Sequence, residues 1–285
     1  MTRTLKPEDG FALGEALVAH HLGADGTFAD LKRIPAAELL NSQIDVFSGH
    51  YFSPIPDPET LPVSLEETVA DDLFPEMNLV IGSNRNESLM YIPEGAVLTD
   101  YLEGYFPPET WDDIKSILGA DLPELAQMDR LRSAVQYTCP SLMLAQAVKE
   151  AGGAAYVYRF DRVREGFDAI GAYHGAELPY VFDTHDPWMP TNAIDQQVTD
   201  ALVDYWIAFL KTGSPNESQS GRTETGDSEM GGLEIISAEK GRAMWSAWSQ
   251  QQQALVIADE ISSKTHPDAA LCEFLNTAQV ASARH

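Results

Sequence analysis

Hydrophobic side chains recur at helical spacing in several parts of this chain. The strongest example runs from about Gln196 to Lys211, where apolar residues return every three or four positions, as on the buried face of an amphipathic helix. Gly213 and Pro215 follow this segment and predict its end. Further helices are predicted over Phe11 to Leu22, Pro35 to Gln43, Glu109 to Leu118, Ser141 to Ala151 and Trp245 to Glu260.

Two short segments have the pattern of strands. Asn78 to Gly82 is an apolar run bounded by a turn, as expected for a strand buried on both faces. Ala155 to Phe160 alternates aromatic and β-branched residues. Helices and strands alternate along the chain, and we predict an α/β fold with a short, mostly parallel sheet and many surrounding helices. Glu87 follows the first strand, at the end of the strand where open α/β sheets bind ligands.

The length and composition are those of a folded protein. The 285 residues are 44% hydrophobic, which is enough to bury a substantial core, and we predict a single domain over residues 1–285. From Gly213 to Gly232 the chain is rich in Gly, Ser, Glu and Thr, and Met230 is the only large apolar residue there. We predict that residues 213–232 form a flexible loop.

The charge of the chain excludes some classes of binding partner. Lys and Arg number 18 against 44 Asp and Glu, a formal net charge of -26, which repels nucleic-acid phosphates and anionic lipid surfaces. No segment approaches the ~18 apolar residues of a membrane span, and the N-terminal residues lack the pattern of a signal peptide. We therefore expect no nucleic-acid or membrane partner, and a soluble protein in the cytoplasm.

The cysteine and histidine positions predict no metal or other cofactor. Cys139 and Cys272 are far apart in sequence and lack the paired spacing of metal ligands. Because cysteines stay reduced in the cytoplasm, we predict two free thiols in preference to a disulfide between them. His20 and His21 have no cluster of carboxylates or cysteines at ligand spacing.

Two segments carry side chains suited to acid–base chemistry. The first, Ile81 to Ser88, contains Glu87, and the second, Gly171 to Pro179, contains His174. Acyl-transfer enzymes that carry serine in a G-x-S-x-G turn have a carboxylate and then a histidine later in the chain. The carboxylate and the histidine occur here in that order, but no G-x-S-x-G motif precedes them.

Three serines are candidates for the missing nucleophile. Gly226-Asp227-Ser228-Glu229-Met230-Gly231 resembles a nucleophile turn with one extra residue, but it lies within the predicted flexible loop. A nucleophile turn needs a rigid strand beneath the serine. Ser48 and Ser88 are predicted to be ordinary loop or turn serines.

Two rival sites near His174 are also predicted to be structural. His174 and Glu177 have the spacing of two metal ligands on one helix face, although Gly175 between them favours a loop. His185 lies close to His174 in sequence, within a segment that ends in Asp186-Pro187 and is predicted to form a turn.

Taken in order, several segments are similar to the C-terminal part of the type-B carboxylesterases, the family that includes the cholinesterases. Leu79 to Glu87 resembles the G-x-N-x-x-E-G strand and turn that carries the family's catalytic acid, and His174 to Phe182 resembles its H-G-x-E-x-x-F-V-F block. Further matches are Pro54 to Asp57 with Leu61-Pro62, Ala155 to Asp161, Asn216, and Trp245 to Trp248 before Ala254 to Ile257. The matches cover nearly the whole chain but only about half of a family member.

The resemblance implies a partial α/β-hydrolase fold and two catalytic residues. Glu87 is expected to orient the imidazole of His174 and to stabilise its cationic form, while His174 acts as general base and then as general acid. Ser88 stands where the family has glycine. The family's nucleophile turn and glycine-rich oxyanion loop belong to the half that the matches do not cover, so the nucleophile is a non-standard side chain, water or a group from a partner chain.

These observations predict a carboxylic-ester hydrolase that acts on short-chain, small-molecule esters without a cofactor. If the other half of the fold is absent, a sheet edge and an apolar face are exposed, and such surfaces favour association. We therefore expect a homodimer or a complex with a complementing N-terminal chain. Two alternatives stay open, a non-catalytic esterase-like interaction protein and a truncated remnant.

Overall fold

The computed structural model describes residues 6–50, 52, 54–71, 73–216 and 242–282. Most of the loop predicted over 213–232, including the serine turn at Gly226 to Gly231, lies outside the described residues. Two compact units divide the chain, Met1–Leu73 and Phe74–His285. The organisation of residues 1–285 as a single domain stays a prediction.

The first unit is built of helices: α1 (Pro7–Leu22), α2 (Phe28–Leu31), α3 (Ala36–Asp45) and α4 (Leu65–Ala70). The helices predicted over 11–22 and 35–43 are thus confirmed. Gly23 ends α1 with a φ of 71°, a positive value that glycine adopts at little cost. Ser64 begins α4: its Oγ accepts a hydrogen bond from Glu67 N, and the Glu67 carboxylate accepts one from Ser64 N.

The second unit contains a sheet of four strands, β1 (Asn78–Asn84), β2 (Ala154–Phe160), β3 (Gln253–Ile257) and β4 (Ile261–Thr265), in that order. The first three strands are parallel, and β4 is antiparallel to β3. The predicted short, mostly parallel sheet is therefore confirmed. Its carboxyl edge, where the loops after β1 and β2 begin, carries the site described below.

The helices of this unit are α5 (Leu98–Tyr105), α6 (Trp111–Gly119), α7 (Glu124–Ser133), α8 (Cys139–Glu150), α9 (Leu178–Val181), α10 (Ala193–Thr212) and α11 (Ala269–Ser282). A π-helical segment, Ala134–Thr138, joins α7 to α8. The helix predicted over 196–211 is confirmed as α10, which Asn192 caps by accepting hydrogen bonds from Ile194 N and Asp195 N. Among the described residues, no helix is long and apolar enough to cross a lipid bilayer.

The hydrophobic core of this unit lies on both faces of the sheet. On β2, Ala155 and Val157 belong to one cluster of buried side chains, whereas Tyr156 and Phe160 belong to another, as the alternation of side chains along a strand requires. Residues of α5, α6, α7, α8 and α11 pack on the first face, and residues of α9 and α10 pack on the second. The sheet is therefore covered by helices on each side.

The helix predicted over Trp245 to Glu260 is wrong. Its apolar core, Ala254 to Ile257, forms most of β3 and is buried on both faces, and a run this short does not distinguish a buried strand from a helix. The tryptophans that precede it pack instead along β2. Trp245 Nε1 donates to Val157 O over 2.8 Å, and Trp248 N donates to Ala155 O over 2.7 Å.

The two free thiols predicted from the sequence are also wrong, because Cys139 and Cys272 form a disulfide. They lie 133 residues apart in sequence, but α11 packs against α8 and the π-helical segment and brings their Cα atoms within 5.1 Å. Both residues are buried. The sequence separation concealed the pairing because it depends on helix packing, not on local spacing.

Candidate active site

Glu87 lies in the loop that follows β1, at the carboxyl edge of the sheet. Its side chain is buried, with 5% of the residue exposed, and its Oε1 accepts a hydrogen bond of 2.6 Å from Asn84 N, at the end of the strand. The loop begins at Arg85, whose N donates to Phe160 O of β2 over 2.9 Å. The position of the carboxylate is therefore fixed by a hydrogen bond to the end of β1.

His174 lies in the loop between β2 and α9 and meets Glu87 directly. Its Nδ1 is 2.6 Å from Glu87 Oε2, which assigns the proton between them to Nδ1 and leaves Nε2 as the basic nitrogen. The imidazole side chain is 46% exposed, against 7% for the carboxylate. The structure thus brings together both residues predicted from the sequence, with the acid buried and the imidazole accessible.

A second set of hydrogen bonds joins the acid loop to the histidine loop. Asn84 Nδ2 donates to Tyr173 O over 2.7 Å and to Glu177 Oε2 over 2.5 Å. Asn86 N donates to Ala172 O over 3.0 Å. The acid loop and the histidine loop, 87 residues apart in sequence, are consequently held side by side. Glu177 contributes to this connection by accepting the hydrogen bond from Asn84.

Burial controls the electrostatics of the acid. Removal of the Glu87 carboxyl from water raises its pKa, and the nearby charge of Glu177 raises it further. The hydrogen bonds from Asn84 N and His174 oppose this shift. The carboxylate is thus buried beside the imidazole, with Asn84 N and His174 Nδ1 as its hydrogen-bond partners.

Two tyrosine rings flank the exposed imidazole. The Tyr137 ring centroid is 5.2 Å from that of His174, and the Tyr91 ring centroid is 6.2 Å from it. Tyr137 belongs to the π-helical segment, a rare conformation that occurs often at functional sites. The imidazole therefore opens onto a surface with aromatic walls.

No serine or cysteine among the described residues is hydrogen-bonded to His174. Ser88 is buried behind the site, where its N donates to Asp129 Oδ1 and to Ser133 Oγ. Ser48 belongs to the first unit, and Ser228 lies outside the described residues. A nucleophile is therefore not assigned from the described part of the chain.

His185, the rival histidine, occupies a structural position. Its Nε2 lies 2.7 Å from Thr199 Oγ1, and its Nδ1 lies 3.0 Å from a guanidinium nitrogen of Arg164. Burial lowers its pKa, and the charge of Arg164 lowers it further.

In the part of the chain that the structure describes, no three His, Cys, Asp or Glu side chains cluster as metal ligands.

Several residues shape this site in ways that the sequence did not predict. Asn84 lies inside the matched G-x-N-x-x-E segment, and Glu177 lies inside the matched histidine block. The sequence therefore contained both residues within recognised motifs, but it did not indicate the hydrogen bond between their side chains. Asn86 adjoins Glu87, and its partner is distant in sequence. Tyr137 carries no sequence signal, because its contact depends on the packing of the π-helical segment.

Comparisons with known proteins agree with the fold. The model of the carboxylesterase family matches residues 122–275. Para-nitrobenzyl esterase of Bacillus subtilis (strain 168) is 29% identical over 181 residues, 58% of this chain and 35% of that protein. Neuroligin-2 of Homo sapiens is 25% identical over 223 residues, 66% of this chain and 26% of that protein.

Solved structures show the same relationship. A carboxylesterase from Geobacillus stearothermophilus superposes with a TM-score of 0.71 at 20% identity, over 95% of this chain and 55% of that chain. A PNB esterase superposes with a TM-score of 0.67 at 24% identity, over 96% and 55%. The chain spans about a third of the first curated relative and about half of these solved structures. Since the family model covers more than half of its residues, the chain belongs to the carboxylesterase family.

Proposed function

We propose that this chain is a carboxylic-ester hydrolase in which Glu87 and His174 form the acid–base pair. The observation that carries the proposal is the 2.6 Å contact between Glu87 Oε2 and His174 Nδ1. A carboxylate on Nδ1 orients the imidazole and directs its basic Nε2 outward. Membership of the carboxylesterase family supports ester hydrolysis as the reaction class.

His174 acts first as a base and then as an acid. Its Nε2 removes a proton from the attacking hydroxyl, and the resulting imidazolium is stabilised by the Glu87 carboxylate. His174 then returns the proton to the leaving alkoxide. In the isolated chain we propose water as the attacking group, because no serine or cysteine of the described residues is hydrogen-bonded to His174.

The proposed substrates are small esters with short acyl chains. The aromatic rings of Tyr91 and Tyr137 border the imidazole and offer apolar contact area to such a substrate. No metal or cofactor is part of the proposed reaction, since proton transfer by His174 and attack on the ester carbon need neither.

A partner chain is proposed to complete the site. In the described part of the sheet, β1 pairs with β2 on one side only, and an unpaired strand edge is a template for another strand. The first unit also exposes large apolar side chains, among them Phe11, Leu40 and Ile44, the last with 78% of its surface accessible. A second copy of this chain or a complementing chain with a nucleophile would cover such surfaces.

Ester turnover in matched variants tests the catalytic proposal. Hydrolysis of p-nitrophenyl acetate is expected to fall by about 100-fold or more in both Glu87→Gln and His174→Ala, the scale of general base catalysis. His20→Ala is the control for background imidazole reactivity, since this side chain is 40% exposed and belongs to the other unit. Equal rates in His20→Ala and His174→Ala would reject the proposal and favour a non-catalytic interaction protein.

Sedimentation velocity combined with hydrogen exchange tests the partner proposal. A homodimer that pairs along β1 is expected to slow amide exchange at alternate residues between Leu79 and Ser83 as the protein concentration rises. A monomer at all concentrations, with fast exchange at the same amides, would reject the homodimer and leave the complementing chain as the proposed partner.

A further inference from the structure

We infer that Asn86 and Asp129 are positioning residues that hold the acid loop and the histidine loop in the register required by the Glu87–His174 contact. Asn86 precedes Glu87 in the chain, and Asp129 lies on α7, on a separate element. Neither side chain is hydrogen-bonded to the imidazole of His174. Their effect on His174 therefore passes through the two loops.

Asn86 joins the loops with both its backbone and its side chain. Its N donates to Ala172 O over 3.0 Å, and its Oδ1 accepts from Ala172 N over 3.0 Å. Both backbone polar groups of Ala172 are thus bound to one residue, and Ala172 is two positions before His174. The two loops meet here as an isolated parallel bridge between Asn86 and Tyr173.

Asp129 fixes the orientation of the Asn86 amide. Its Oδ2 accepts from Asn86 Nδ2 over 2.7 Å, so the amide oxygen is directed to Ala172 and not to α7. Its Oδ1 also accepts from Ser88 N over 3.2 Å and from Ser133 Oγ over 3.2 Å. Residues on both sides of Glu87 are therefore bound to the same carboxylate.

Both side-chain oxygens of Asp129 accept hydrogen bonds, so the side chain at position 129 must offer two acceptor atoms. Asp129 is 2% exposed; burial raises its pKa, and the hydrogen bonds from Asn86, Ser133 and Ser88 oppose that shift. An asparagine at this position would turn an amide N–H toward a donor, either Asn86 Nδ2 or Ser88 N. With that N–H toward Asn86, Asn86 Nδ2 becomes a buried donor without its acceptor; with it toward Ser88, Ser88 N keeps only Ser133 Oγ.

This arrangement has a consequence for the proposed reaction. The acid and the base are set by residues 86 to 88 on one side and 172 to 174 on the other, and a displacement of about 1 Å between catalytic groups can cost about 100-fold in rate. A fall in turnover when Asn86 or Asp129 is changed is expected only if the proposed function holds. The loss of the Glu87–His174 contact is expected in either case, and it is measured without an activity assay.

The test uses the proton NMR spectrum of the full chain, in which a short hydrogen bond from imidazole Nδ1 to a carboxylate gives a downfield proton resonance. His174→Ala assigns that resonance. The positioning variants are Asn86→Ala and Asp129→Asn. The matched control is Asn216→Ala, because Asn216 also binds both backbone polar groups of one distant residue, Trp245, over 2.8 Å each, here with its side chain alone.

The expected result is loss or marked broadening of the resonance in Asn86→Ala and in Asp129→Asn, and its retention in Asn216→Ala. If p-nitrophenyl acetate turnover is present in the wild-type chain, kcat/KM is expected to fall by about 10- to 100-fold in the two positioning variants. A resonance unchanged in both variants would overturn the inference. Unfolding of both variants under conditions where Asn216→Ala stays folded would also overturn it, since the role would then be structural.

Discussion

Gly171 lies so close to Asn86 that a Cβ atom on Gly171 would fall 2.2 Å from Asn86 Oδ1. The φ of Gly171 is also positive, at 63°. The close approach is what permits the Asn86 side chain to reach the backbone of Ala172 over 3.0 Å. The glycine is therefore required both for its conformation and for its lack of a side chain.

We predict that Gly171→Ala displaces Asn86 and separates the acid and histidine loops. The matched control is Gly166→Ala, because Gly166 has a φ of 81° in the same connection but nothing within 4 Å of its Cβ position. The backbone strain alone should cost Gly166→Ala about 1–2 kcal/mol of unfolding free energy. Gly171→Ala should lose about 1–3 kcal/mol more through overpacking, together with the downfield resonance of His174.

Urea unfolding and the proton spectrum of both glycine variants decide this prediction. Equal unfolding free energies, with the His174 resonance present in both proteins, would show that the histidine loop accommodates a methyl group at position 171 and that Asn86 does not depend on the glycine.

The disulfide between Cys139 and Cys272 is expected to stabilise the second unit. It closes a loop of 133 residues, for which the restriction of the unfolded chain accounts for about 5 kcal/mol in the entropy model and about 2–4 kcal/mol in typical measurements. Urea unfolding with and without dithiothreitol measures this difference. The Cys139→Ala/Cys272→Ala double variant should give the same unfolding curve in both conditions.

The disulfide also bears on where the protein resides. Disulfides persist in oxidising compartments and are rare in the cytoplasm, whereas the sequence led us to expect a cytoplasmic protein. Localisation stays a prediction, and it is tested by acid quenching of whole cells followed by thiol alkylation in denaturant, because both cysteines are buried in the folded chain. Cysteines that are then labelled would support the cytoplasm, and cysteines that are protected as a disulfide would contradict it.

His266 should make the protein less stable in mild acid. Its Nδ1 accepts a hydrogen bond of 3.1 Å from Asp268 N, so this nitrogen is unprotonated in the folded state. Burial, with the charge of Arg159 adding to it, lowers the pKa of His266 from 6.5 to about 4. Between those pH values the unfolded chain binds a proton that the folded chain does not, so stability present at pH 7 is lost as the pH falls.

The expected contribution is about 3 kcal/mol over that interval, as an order of magnitude. It is measured as the change in urea unfolding free energy between pH 7.5 and pH 4.5, with His266→Asn as the control that lacks the titrating group. The carboxylates titrate in both proteins, so the difference between them isolates His266. An identical pH dependence in the two proteins would contradict the assignment.

Much of the second unit follows from local sequence. The apolar stripe of α10 with Gly213 beyond it, and the apolar run of β1, identify elements whose type is decided within the segment itself. The Glu87–His174 pairing was predicted from their order and from the family resemblance. Neither the charge nor the spacing of the chain required the two side chains to meet.

The remaining features depend on contacts between distant segments. β3 is a run of buried apolar residues too short to separate strand from helix, and its type is decided by pairing with β2 and β4. The Cys139–Cys272 disulfide depends on the packing of α11. The link from Asn86 to Asp129 spans 43 residues and two elements, so no local pattern could indicate it.

The most direct test of the acid–base pair is ester hydrolysis by the purified chain in the presence of a fluorophosphonate, with the intact mass read on the same sample. The proposal predicts turnover that falls by about 100-fold or more in His174→Ala and in Glu87→Gln. It also predicts no covalent adduct, because water attacks in the isolated chain. A stoichiometric adduct with loss of turnover would contradict water as the nucleophile. Turnover that is equal in the wild-type chain and in His174→Ala would contradict the catalytic role of the Glu87–His174 pair.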